Sequence, residues 1–95
     1  MALIQPMQNL PGHDHRTPEA VYGFDARGVA RRFRHAAIFG ALDTLQPGEV
    51  MRFVNDHDPI PLLGQLTARY GEEIQIEYRQ RSPEGVVIDF IRPAE

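Results

Sequence analysis

From Ile74 to Arg92 the chain reads IQIEYRQRSPEGVVIDFIR, and this stretch limits the fold more than any other. Ile74, Ile76 and Tyr78 alternate with Glu73, Gln75, Glu77 and Arg79, the period of a strand with one buried and one solvated face. RSPEG then supplies a turn, and Val86, Ile88 and Phe90 share one side of the run that follows. The pair reads as an antiparallel hairpin, so the chain must build a sheet and cover one side of it.

The upstream patterns say what covers it. AVYGFDARG offers a short strand through Val21, Tyr22 and Phe24, with Gly28 in the turn. RHAAIFGALDTLQPGE places Ala37, Ile38, Ala41, Leu42 and Leu45 at helical spacing, stopped by Pro47 and Gly48. EVMRFVN is a second strand. DPIPLLGQLTARYG offers Asp58 as N-cap, Pro59 and Pro61 in a first turn that tolerates them, and an apolar stripe of Leu62, Leu63, Leu66 and Tyr70 before Gly71. The order β-α-β-α-β-β predicts an α+β fold, a two-layer α/β sandwich with two helices on one face of a four-stranded mixed sheet. Right-handed crossovers make the first three strands parallel. Residues 20–95 form the domain. Residues 1–19, with Pro6, Pro11, Gly12 and Pro18 and no apolar period, read as a flexible N-terminal arm.

Several function classes fall away on composition. A net charge of −3 gives no general attraction to nucleic acid or an anionic membrane, and no basic stripe interleaved with aromatics appears. The chain has no Cys, which removes disulfides, thiolate metal sites and cysteine nucleophiles together. No signal-peptide pattern and no membrane-length apolar run is present, so a soluble cytoplasmic protein is expected. Ser82, Thr17, Thr44 and Thr67 lack a nucleophile context, so a non-catalytic role is expected.

The topology locates a site. The turns ARGVARRFRH and NDHDPIP both leave carboxyl ends of parallel strands and lead into helix amino termini. If the strands are neighbours, the turns share one rim, about 5 Å apart where they begin. His35 is expected in the first turn of the first helix and His57 just before the second. With Asp56 or Asp58 as a further ligand, these imidazoles suit a transition metal such as zinc, copper or iron. Asn55, Asp56 and Asp58 also suit plain turn and cap roles. Arg27, Arg31, Arg32 and Arg34 beside the same rim suit an anion or an acidic protein partner, which gives the alternative function: an interaction module with no metal. His13, Asp14 and His15 in the arm read as a weak chelating group or a solvated tail. On the sheet face away from the helices, Val50, Val54, Val87 and Ile91 are expected to be partly covered by the arm, a second copy or a protein partner.

FDARG, RHAAIFGALDTLQPGE and VNDHDPIPL together resemble the Domain of Unknown Function 2249 family of bacterial proteins, from Phe24 to Arg92. The resemblance implies a small sandwich related to the TusA-type sulfur carriers. It also implies relatives that stand alone or are joined to hemerythrin-like domains, often in respiratory or nitrogen-oxide contexts, so hemerythrin-like proteins are the suggested partners. It carries no catalytic assignment. The sulfur carriers place a Cys-Pro-x-Pro motif at the start of the first helix, where this chain has Arg31-Arg32-Phe33-Arg34 and hence no thiol for a persulfide.

Overall fold

The computed structural model describes residues 20–94, so the expected arm, with His13, Asp14 and His15, lies outside the described residues. The elements follow the expected order: β1 (Ala20–Asp25), α1 (Arg31–Leu42), β2 (Glu49–Asn55), α2 (Ile60–Tyr70), β3 (Gln75–Ser82) and β4 (Gly85–Ile91). They form one four-stranded sheet in the order β1-β2-β4-β3. β1 pairs with β2 in parallel, and β4 runs antiparallel to both β2 and β3. The first three strands therefore point the same way, and the α+β sandwich read from the sequence is the fold. Composition explains why β4 sits inside. VVIDFI is nearly all apolar, whereas β3 carries Glu77, Arg79 and Arg81, charges that suit a solvated edge.

The core lies between the sheet and the two helices. α1 contributes Ile38 and Leu42, α2 contributes Leu62, Leu66 and Tyr70, and the sheet contributes Met51, Phe53, Ile74, Val86, Ile88 and Phe90. Phe53 is the hub, with its ring 5.3 Å from that of Phe90 and 6.4 Å from that of Phe24, centroid to centroid. A polar clamp joins the far ends of the helices. The Tyr70 hydroxyl donates to Asp43 Oδ1 at 2.6 Å, and Arg69 reaches Asp43 Oδ2 at 2.8 Å. Burial and the Asp43 hydrogen bond push the Tyr70 phenol up.

On the opposite sheet face, Arg52 grips Asp89 through two bonds of 2.8 and 3.0 Å, and Arg79 approaches the same carboxylate at 3.7 Å. Asp89 is only 4% exposed, so this fork supplies the partners that a buried charge requires. Val50 is buried beside the pair, and Val54, Val87 and Ile91 are half-buried.

The alternation in β3 does not run to its end. Tyr78 faces Ile88 in β4, but Gln80 faces Val87, so one extra residue enters the edge strand. Such a bulge inverts the side-chain phase beyond it. Arg81 consequently faces Val86 and emerges on the helix side, the side that Tyr78 already occupies.

Candidate functional site

The carboxyl ends of β1, β2 and β3 form one rim. At the end of β1, Asp25 accepts from the Arg27 backbone N–H at 3.0 Å and takes both arms of the Arg27 guanidinium at 2.8 Å. The guanidinium holds the Asp25 carboxyl down to about 2. Arg27 is thus spent on closing its own turn.

α1 begins at Arg31, a full turn before His35, so His35 stands in the second turn and not in the first as expected. The reason the start is hard to read is chemical. Its N-cap is Ala30, with no side-chain cap, and its first turn holds no acidic residue. Three arginines there oppose the helix dipole, an unfavourable placement by about 0.3–1 kcal/mol each. Conflicts of this kind concentrate at functional positions. Arg34 is partly employed: its Nη2 and Nε reach the Val29 carbonyl at 2.9 and 3.3 Å. Arg32 stacks on Phe33, 5.0 Å from the ring centre. Arg31 makes no ion pair among the described residues. Helical spacing places Arg31, Arg34 and His35 on one face.

At the end of β2, Asn55 donates from Nδ2 to the His57 carbonyl at 3.0 Å and pins the turn. Asp56 Oδ1 lies 2.7 Å from His57 Nδ1. The carboxylate can only accept, so Nδ1 carries a hydrogen and Nε2 is the ring nitrogen left outside this bond. This bond keeps the Asp56 carboxyl below its ordinary value. Asp58 does not cap α2, contrary to the sequence expectation. The N-cap is Pro59, without a side-chain cap bond, and Pro61 removes another backbone donor. The Ile60 N–H already serves the Asp58 carbonyl. The Asp58 carboxylate turns instead to the Tyr78 hydroxyl and to Arg81, which pairs with it at 2.8 Å and stacks on the Tyr78 ring. Burial, then the Asp58 bond, raises the Tyr78 phenol.

Between these turns lies a cleft of about 200 Å³. Arg31, Arg34, His35 and Ile38 line it from α1, and Phe53, Asn55, His57 and Pro59 line it from β2 and the turn beyond. The structure thus brings the two imidazoles, far apart in sequence, to one cleft, together with two of the four arginines. Arg27, Arg32, Asp56 and Asp58 do not line it. Among the described residues no three His, Asp or Glu side chains converge as a metal group. A wider groove of about 390 Å³ lies between β1 and the end of α1, and among the described residues its ionisable lining is the Tyr22 hydroxyl and the Glu49 carboxylate, which face each other at 3.4 Å.

Asn55 was legible as a turn residue, but not as a buried amide on the cleft. The Tyr78 and Arg81 partners of Asp58 gave no sequence signal, because the bulge that turns Arg81 inward contains neither Gly nor Pro.

Acid stability follows from these carboxylates. Asp25, Asp56 and, through Tyr70 and Arg69, Asp43 all have depressed values. A group depressed in the folded state contributes fully above its ordinary value and loses that contribution as pH falls through the folded one. The urea midpoint should therefore hold steady down to about pH 4 and decline from there towards pH 2. All three side chains are well exposed, so the decline should be modest and should shrink in high salt. A midpoint unchanged across that window would show that these bonds do not persist in solution.

No helix among the described residues is long and apolar enough to cross a membrane. Comparison with curated proteins and with solved structures finds no match. Comparison with family models matches residues 23–92 to the uncharacterized conserved protein family DUF2249. That span takes in both rim turns, both helices, the end of β1 and all of the other three strands, and the chain therefore belongs to the DUF2249 family.

Proposed function

We propose that this domain is a small non-catalytic binding module whose cleft takes an anionic group, either free or carried on a partner's acidic surface. The observation that supports this reading is the lining. Arg31, Arg34, His35 and His57 surround the uncapped start of α1, and among the described residues no carboxylate lines the cleft with them. Free N–H groups and the positive end of the dipole add to the same preference. The remaining site arginines, Arg27 and Arg32, act outside the cleft as turn closure and surface charge.

Titration of isotope-labelled protein with phosphate, sulfate and acetate, followed by amide shifts, tests this. Saturable shifts should appear at His35, Asn55 and His57 and should weaken as salt rises. Arg31→Glu should reduce affinity at least tenfold, since it replaces attraction by repulsion at the helix start, while the spectrum stays folded. If none of the three anions gives saturable shifts, the reading is wrong.

One observation supports a second reading, a transition-metal site for zinc, copper or iron. The Asp56 carboxylate on His57 Nδ1 is the arrangement by which metal-bound histidines are oriented, and His35 shares the cleft. A third donor would have to come from outside residues 20–94 or from a partner. Metal analysis of untagged protein and of His57→Ala separates the two readings. Bound metal that is lost in the variant favours the metal, and chelator-insensitive anion binding favours the module.

A further inference from the structure

Asn55, a residue of the cleft lining, carries one polar atom that the anion reading leaves unexplained. Asn55 is only 4% exposed, and its Oδ1 is buried with no hydrogen-bond partner among the described residues. The amide cannot simply be turned over, because Nδ2 donates to the His57 carbonyl at 3.0 Å and a reversed amide would set two oxygens against each other. A buried acceptor left without a donor is destabilising by about 1–3 kcal/mol. No side chain of the lining donates to it: Ile38, Phe53 and Pro59 have no polar hydrogen, and the N–H groups of Arg31, Arg34, His35 and His57 do not reach it.

We infer that the cleft selects a small oxyanion bearing a hydroxyl of its own, with monohydrogen phosphate as the simplest case, through donation from that hydroxyl to Asn55 Oδ1. The inference rests on the anion reading and narrows it. The cationic side chains attract any oxyanion, but they are indifferent to whether it carries a proton. Asn55 Oδ1 is not. It gains a bond from P–O–H, whereas a fully ionised anion such as sulfate presents only acceptors and meets the carbonyl oxygen repulsively. The size is in keeping. At about 200 Å³ the cleft falls below the ~300–1,000 Å³ of sites for drug-sized ligands and suits a compact ion.

Calorimetry near pH 8 gives the decisive comparison, because monohydrogen phosphate and sulfate are then both tetrahedral dianions that differ by one hydroxyl. Wild-type protein should bind phosphate roughly tenfold or more tightly than sulfate, in line with the penalty for leaving a recognition group unpaired. Asn55→Leu, which keeps the side-chain bulk and removes the acceptor, should bring the two affinities together. Arg31→Ala should weaken both and leave their ratio intact. Equal binding of the two anions by wild-type protein would overturn the inference while leaving the anion module standing, with Oδ1 satisfied by water. A phosphate preference that survives in folded Asn55→Leu would also overturn it. Binding of neither anion would remove the anion reading itself. Should Asn55→Leu fail to fold, the wild-type ratio alone decides.

Discussion

Phe53→Ala should lower the unfolding free energy by about 3–5 kcal/mol, the range for truncating a fully buried aromatic residue. Phe53 has no exposed surface and lies in the middle of the sheet, between the rings of Phe24 and Phe90. β2 is paired on both sides, so the backbone cannot collapse into the space as an edge strand would. A small domain has only about 5–15 kcal/mol in total, and the variant should therefore unfold at a much lower urea concentration or be largely unfolded at rest. Phe53 also lines the cleft, so anion binding should fall along with stability. Denaturant melts of the two proteins decide the matter. A loss under about 1 kcal/mol would mean that the core is not organised around this ring.

Gly85→Ala should be the second most damaging single change, at roughly 2–3 kcal/mol. Gly85 opens β4 with φ near +150°, and a Cβ built there would lie 2.5 Å from the Asn55 carbonyl oxygen and 3.3 Å from Asp56 Cα. Both neighbours are backbone, so the clash cannot be relieved by a rotamer change. The hairpin must move away from the end of β2, and with it the anchor of the His57 turn. Weakened anion binding in the folded fraction is therefore expected as well, which a purely global loss of stability would not produce. Gly64→Ala is the matching control. It lies on an exposed face of α2 with nothing within 4 Å of the added carbon. There alanine should stabilise the helix by about 0.5–1 kcal/mol. Equal melts for Gly85→Ala and the wild type would refute the close approach.

The fold was legible because each element carries one dominant periodicity. Val86, Ile88 and Phe90 announce the core face of β4, and Arg52 and Asp89 mark the face opposite, although only the strand order shows that these two residues meet. The shared cleft of His35 and His57 was legible for the same reason: parallel neighbouring strands place their following turns on one rim. What the sequence hid were departures from its own rules. α1 starts on arginines with no capping residue, so its first turn looks like loop. Asp58 has every attribute of a cap, yet two prolines remove donors it would serve, and the bulge between Tyr78 and Gln80 delivers Arg81 to it instead. The solitary oxygen of Asn55 depends on burial, which no local pattern encodes.

The interior position of β4 governs the order in which this sheet can close. β1, α1 and β2 can associate without β4, but β3 has no strand beside it until residues 85–91 dock between β2 and β3. Until then the edges of β2 and β3 that β4 will cover stay unpaired, each a template for pairing with another chain. The interval before β4 docks is consequently when this sheet is most exposed to aggregation, and the final strand acts as its closing seam.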